Sequence, residues 1–313
     1  MLRQTFLFLS NQPRLFQMVS ANPLARKFAH RFVAGETADS AAAAVRQLNE
    51  RKLTASLDLL GESVSNESEA RAAGREYLAL LDRIAAERLE ANVSLKLTAM
   101  GLDISEDLCV AVMQEILEKA RTLNTFVRVD MESSEYTERT LQLVEHRLYP
   151  SYRENVGIVL QSYLRRTAAD VDHANELRVR VRLCKGAYQE PATVAFPEKR
   201  DVDVNYVSCM KRLMTDGNYP GLATHDEKII TEAVRFAHAR NIAPDRFEFQ
   251  MLYGVRRDLQ DNLRHDGWRC RVYVPYGTQW YPYLMRRLAE RPANVAFITG
   301  NVVREMVGSR GRR

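Results

Sequence analysis

Two adjacent arginines, Arg286 and Arg287, stand in Tyr281-Pro-Tyr-Leu-Met-Arg-Arg-Leu-Ala-Glu290, a few residues behind a strand-like Arg271-Val-Tyr273-Val-Pro. Each guanidinium presents paired donors in a rigid fork, and two forks side by side match the oxygens of one small carboxylate. On a helix, Tyr283, Arg286, Arg287 and Glu290 fall at i, i+3, i+4 and i+7. One face then carries a ring, two cations and an acid, Glu290, that can orient them. An ordinary charged outer face is the plain alternative. The position straight behind a strand favours a site for an anionic small molecule.

Other residues suit the same chemistry. Ser94-Leu-Lys96-Leu-Thr98 places a lysine between two leucines, so alternation sends Lys96 to the opposite face from both. A lysine inside a sheet is paired or loses its charge. Asp130, ending Phe126-Val-Arg-Val-Asp130, is its natural partner on the next strand. A buried ion pair that only fixes register, or a Schiff-base lysine, are the alternatives. In Val181-Arg182-Leu-Cys-Lys185-Gly186-Ala187-Tyr188, Arg182 alternates inward and the strand stops abruptly. Gly186 permits close approach of a ligand, and Lys185 with adjacent amides can receive a phosphate. A loop with a solvated lysine explains that run equally simply. His225, ending Ala223-Thr224-His225, has no second histidine at ligand spacing, so no metal site is expected. No G-x-S-x-G occurs.

The elements that must hold these residues repeat. Eight β-rich runs occur: Leu53–Leu59, Asn92–Thr98, Thr125–Asp130, Gly157–Ser162, Arg178–Cys184, Gly221–His225, Phe247–Met251 and Cys270–Val274. Helical periodicity separates them, most clearly over Glu67–Leu89, Glu106–Leu123, Thr137–Leu148 and Glu227–Arg240. Eight strand-plus-helix units without a compositional break predict an α/β fold, a (β/α)8 barrel over 51–300. The chain contains no G-x-G, which argues against a doubly wound dinucleotide domain. Amphipathic segments at Arg14–Val19, Leu24–Val33 and Ala41–Asn49 predict extra N-terminal helices over 1–50. Residues 301–313 read as a basic tail. Polar residues cluster at the carboxyl ends of the runs, among them Glu62, Lys96, Asp130, Gln161, Arg182, Lys185, His225 and Tyr273. In a barrel those ends share the rim where barrel enzymes work.

Composition narrows the class further. Apolar residues at 46% and charged residues at 27% describe a globular chain with a large core. The net charge of +5 is dispersed among acids, so no nucleic-acid footprint is expected. Four cysteines lie far apart and make no C-x-x-C, predicting free thiols in a reducing compartment. The apolar Phe6-Leu-Phe-Leu9 is too short for a spanning helix, so a cytoplasmic location is expected.

Taken together, SLKLTAMG, VRVDMES, GIVLQSYLRR, VRLCKGAY, ATHDEKI, FEFQMLYG and VYVPYGTQWYPYLMRRLAERPAN resemble the proline dehydrogenase family, in the family's order and across most of the chain. The resemblance implies an FAD-containing, distorted (β/α)8 barrel that oxidises L-proline to Δ1-pyrroline-5-carboxylate. It implies a membrane quinone as electron acceptor, with peripheral contact at the inner face of the membrane. Carried over by motif, Lys96, Arg286 and Arg287 hold the substrate carboxylate, and Tyr273, Tyr283 and Leu252 flank its ring. Asp130 and Arg182 form the active-site pair, with Arg182 beside the flavin N5. Met131, Gln161, Lys185, Gly186, Ala187, Thr224 and His225 match positions that bind FAD. Glu62 matches an acid that pairs with Arg286 as a gate. The length leaves no room for an aldehyde dehydrogenase or DNA-binding domain, so a separate pyrroline-5-carboxylate dehydrogenase is expected downstream. A flavin-free lyase using Lys96 and a non-catalytic anion-binding protein are the competing functions.

Overall fold

The computed structural model describes residues 29–61 and 63–290, with the side chains of 286 and 288–290 outside that set. Eight parallel strands close into a barrel in chain order. They are β1 (Thr54–Leu59), β2 (Ala91–Leu95), β3 (Val127–Val129), β4 (Val156–Gln161), β5 (Arg180–Cys184), β6 (Gly221–Ala223), β7 (Glu248–Leu252) and β8 (Cys270–Tyr276). Closure is made by β8 against β1, in register from Thr54 opposite Arg271 to Leu59 opposite Tyr276. Each expected run overlaps one of these strands: β2 and β4 begin one residue earlier than expected, β7 ends one residue later and β8 two later, and β3 and β6 shrink to three residues.

Among the described residues the helices of nine residues or more are α1 (Ala38–Glu50), α2 (Glu67–Ala86), α3 (Glu106–Thr122), α4 (Ser134–Leu143), α5 (Thr167–Leu177), α6 (Lys199–Asp216), α7 (Glu227–Ala239), α8 (Arg257–His265) and α9 (Trp280–Glu290). Their starts are chemically specified. Thr37, Asn66, Ser105 and Asp226 each accept a backbone N–H from the first turn of α1, α2, α3 and α7. Beyond α4 the chain widens through a π turn at Val144–Leu148, which keeps Val144 and Leu148 buried.

Strand alternation divides the protein into two interiors. Outward residues such as Leu57, Val93, Val127, Leu183, Leu222, Phe249 and Val272 are fully buried under the helices. They meet Leu81 of α2, Ile116 of α3 and Tyr206 of α6 in one apolar shell. Burying each such side chain contributes about 1.5–3 kcal/mol, so the shell carries the stability. The lumen is the reverse. Ser56, Asp58, Asn92, Ser94, Lys96, Arg128, Asp130, Arg182, Glu248 and Gln250 are buried there, where barrels ordinarily stack branched aliphatics.

Two elements depart from a regular barrel. α9 does not return to the outer wall, because its Tyr283 and Arg287 line the cavity at the mouth. It packs on Phe32, Val33 and Leu60 in a small second core. The outer wall beside β8 and β1 is covered instead by α1, whose Ala41, Ala42, Val45 and Leu48 join the main core. The preceding segment is stitched to β8 by Ala34 N to Pro275 O (2.8 Å) and Gly277 N to Gly35 O (3.0 Å). Of the expected N-terminal helices, Arg14–Val19 lies outside the described residues, as do 24–28 of the second. Phe32 and Val33 close a turn on Ala29 O there. The basic tail at 301–313 is also outside them.

Candidate active site

At the carboxyl end of the strands the lumen opens into a cavity of about 1540 Å³. Its centre is Arg182, reaching inward from β5 and 6% exposed. Nη1 donates to Asp130 Oδ1 at 2.6 Å, Nε to Gln250 Oε1 at 2.5 Å, and Nη2 to the hydroxyls of Ser94 (3.0 Å) and Ser56 (3.4 Å). Tyr273 donates its hydroxyl to the other oxygen of Asp130 at 2.8 Å, and Arg182 lies 5.2 Å from its ring centre. Ser56 of β1, Ser94 of β2, Asp130 just past β3, Gln250 of β7 and Tyr273 of β8 therefore surround one guanidinium at the cavity floor. Burial, then the Asp130 charge, pushes the Tyr273 phenol well above its ordinary value, so it stays a proton donor to Asp130.

The pairing expected between Lys96 and Asp130 is corrected. Lys96 faces Asp58 of β1, Nζ to Oδ1 at 3.6 Å. Asp130 stands level with Lys96 across the sheet, since Leu95 is in register with Val129. Its two oxygens, however, bond Arg182 and Tyr273. Lys96 is thus the ion-pair partner of Asp58 within the lumen.

Lys96, Arg287, Tyr283, Tyr273 and Leu252 line the same cavity, so the described residues expected around a carboxylate-bearing ring converge in space. Arg287 also lies over the Tyr283 ring, 5.2 Å from its centre, as the i, i+4 spacing predicts. For α9 the backbone carries Arg286 and Glu290 on the helix, but their side chains lie outside the described residues. Glu62 lies outside them entirely.

The cavity continues past β4, β5 and β6, where Met131, Gln161, Lys185, Gly186, Ala187, Thr224 and His225 line it. Gln161 Nε2 donates to Glu132 O (2.8 Å), which fixes the sense of its amide. His225 Nε2 accepts the Leu252 N–H at 2.9 Å, so the neutral ring carries its proton on Nδ1. Gly186 adopts φ +113°, and a Cβ there would strike the Tyr163 ring at 2.3 Å; only glycine lets the chain pass. Lys185 is not a free point charge. Its Nζ contacts Asp203 (2.5 Å) and Asp226 (2.8 Å), and Lys199 joins both acids. Burial works to raise these two carboxyls, but the lysines outweigh it and hold both below the ordinary aspartate value. An elongated group with a polar chain fits this half, and its volume exceeds what a proline-sized molecule fills.

Sequence reasoning missed Asp58, Ser56, Ser94, Asp203 and Asp226. The signal for the first three was present: Ser56-x-Asp58 alternates as Ser94-x-Lys96 does, and both pairs point into the lumen. Cys184 is half-buried and lines the cavity, whereas Cys109, Cys209 and Cys270 are buried. All four cysteines are free. Among the described residues no cluster of acids, histidines and cysteines could hold a metal, and no helix is long and apolar enough to cross a membrane.

Residues 41–300 match the family model for proline dehydrogenase. The chain is 42% identical to proline dehydrogenase 1 of Bacillus subtilis subsp. natto, over 97% of this chain and all of that one. It is 40% identical to the proline dehydrogenase of Deinococcus radiodurans, over 96% of this chain and 98% of that one. Among solved structures, proline utilization A from Bdellovibrio bacteriovorus, inactivated by N-propargylglycine, superposes with a TM-score of 0.79 at 27% identity. That match covers 88% of this chain and 34% of the longer one.

Proposed function

The chain belongs to the proline dehydrogenase family, and on that premise we propose that it oxidises L-proline to Δ1-pyrroline-5-carboxylate with FAD, passing the electrons to a quinone. The observation that carries this reading is the convergence of Lys96, Arg287, Tyr273 and Tyr283 on one cavity floored by the Asp130–Arg182 pair. When bound, FAD supplies the two-electron acceptor, taking hydride at N5.

The chain's own residues then bind and orient. Lys96 and Arg287, with Arg286, hold the substrate carboxylate, while Leu252, Tyr273 and Tyr283 close on the ring. Fixing the carboxylate between cations sets the C5–H at one distance and angle, a proximity effect. The same cations favour the neutral ring amine, whose proton must leave to solvent before hydride departs. Arg182, with its other donors engaged by Asp130, Gln250 and the two serines, keeps one N–H on Nη1 for the cofactor. A guanidinium there stabilises the negative charge that develops on reduction. Gln161, Met131, Lys185, Gly186, Ala187, Thr224 and His225 hold the cofactor, with Glu62 and Arg286 as a gate and Glu290 orienting the arginines. The product leaves for a separate pyrroline-5-carboxylate dehydrogenase, and quinone reduction implies peripheral membrane contact.

Purified protein should carry FAD, and anaerobic L-proline should bleach the oxidised-flavin band. A folded protein that binds no flavin, or a flavin that proline leaves oxidised, would refute the proposal.

A further inference from the structure

Beneath the Asp130–Arg182 pair the lumen continues as a chain of polar contacts rather than packed aliphatics. Gln250 accepts from Arg182 Nε and, through its own Nε2, donates to Glu248 Oε1 at 2.6 Å. Arg271 Nε donates to that same oxygen at 2.7 Å, and Tyr219 donates its hydroxyl to Oε2 at 3.1 Å. Arg271 is itself held by Ala55 O (2.8 Å) and Asn92 Oδ1 (2.9 Å). Glu248 and Gln250 are 3% and 4% exposed. Room for the amide exists because position 221 is glycine: a Cβ there would sit 2.4 Å from Gln250 Nε2.

We infer that Glu248 is a positioning residue for the oxidation, acting through Gln250 to fix the tilt of the Arg182 guanidinium. This rests on the reading of Arg182 given above. A primary amide has one accepting and one donating end. The guanidinium above demands the acceptor and the carboxylate below demands the donor, so one orientation satisfies both and the reverse satisfies neither. Without the Glu248 carboxylate nothing below dictates the sense of the amide: a carboxamide there can present its oxygen or its NH2 to Gln250, so the Arg182 Nε contact is no longer enforced while those on the two Nη atoms remain. The amide has a second consequence. A carboxylate at position 250 would give Arg182 two anions instead of one and spend its positive charge inside the lumen. Burial alone would raise the Glu248 carboxyl, but Arg271, Gln250 and Arg128 outweigh it and hold it below the ordinary glutamate value. A purely structural Glu248 would do no more than neutralise Arg271.

The test is a double-mutant cycle on the FAD-loaded protein, read by anaerobic single-turnover reduction with L-proline, by the flavin midpoint potential and by thermal melting. Glu248→Gln should slow reduction about tenfold and lower the potential, with apparent proline affinity within about twofold. In a Gln250→Leu background the same change should cost less than about twofold, because its route is already cut. Melting that falls while rate and potential stay at wild-type values overturns the inference, and so does an undiminished effect in the Gln250→Leu background. Should Glu248→Gln not fold, the exchange variant Glu248→Gln/Gln250→Glu keeps the net charge of the lumen. It should reduce more than about tenfold more slowly; wild-type reduction in it equally overturns the inference. Arg182→Met separates the two levels. If that variant reduces normally, the reading of Arg182 fails; if it is slow while Glu248→Gln is normal, only the relay fails.

Discussion

The two faces of the same strands have opposite chemistry. Outward, Leu57, Val93, Val127, Leu183 and Phe249 meet the helices in a shell of aliphatic and aromatic side chains. Inward, one residue away on each strand, Asp58, Asn92, Arg128, Arg182 and Gln250 form ion pairs and hydrogen bonds. Buried charges stabilise little, because desolvation offsets most of their attraction, while buried apolar area stabilises in proportion to its extent. The division therefore lets the shell hold the fold while the lumen is free to carry a rigid polar site. It also explains why α9 crosses the mouth: a site built of charges needs its last wall above the barrel, and α1 can seal the outer gap.

The comparison can be broken from either side. The largest effect on folding should come from the shell. Leu81→Ala removes a fully buried side chain and should cost about 2–5 kcal/mol in denaturant unfolding, with flavin reduction per folded molecule unchanged. A slower reduction step in that variant would erase the division. Next, Arg287→Lys replaces a fork by a point charge and should weaken proline binding by about 1.5–3 kcal/mol with little change in melting temperature. Unaltered apparent affinity would remove Arg287 from the carboxylate site. Tyr273→Phe deletes one hydrogen bond to Asp130 and should slow reduction by about 1 kcal/mol, roughly fivefold, without loss of FAD. Equal rates would mean the phenol only packs.

The smallest effect is in acid. Asp203 and Asp226 have carboxyls lowered below the ordinary aspartate value, with the Lys185 hydrogen bond opposing the burial that would raise them. Their contribution is complete above the unfolded-state value of about 3.8 and is lost as pH falls through the lowered folded-state value. Lys185→Met should therefore weaken the fall in stability over that acid window and leave stability above pH 6 within about 1 kcal/mol of wild type, since both acids remain about a quarter exposed. A steeper acid limb in Lys185→Met would reverse the sign of that account.

Much of this was legible in the chain. Apolar runs ending in polar residues gave every strand, because outward apolar and inward polar alternation is written residue by residue in segments such as Thr54-Ala-Ser-Leu-Asp-Leu. The expected segment Ala41–Asn49 starts late: α1 begins at Ala38 behind Thr37, whose side chain accepts the Ser40 N–H; capping depends on local dihedral angles that composition does not reveal. The partner of Lys96 was misread because adjacency of strands says which residues are level, but not which neighbour has already been claimed. Asp130 was claimed by Arg182 and Tyr273, leaving Asp58 to Lys96. The carboxylates around Lys185 come from α6 and from the cap of α7, distant in sequence and joined only by the fold. The place of α9 over the mouth was likewise set by tertiary packing on Phe32, Val33 and Leu60.

The central claim is that chemistry resides in a lumen guanidinium held apart from the stabilising shell. Rapid anaerobic mixing of FAD-loaded Arg182→Met with L-proline tests it most directly. Loss of one preorganised donor should slow flavin reduction about a hundred- to a thousandfold, with melting temperature near that of wild type. Reduction at the wild-type rate, or slow reduction accompanied by an equally large loss of stability, would contradict the account.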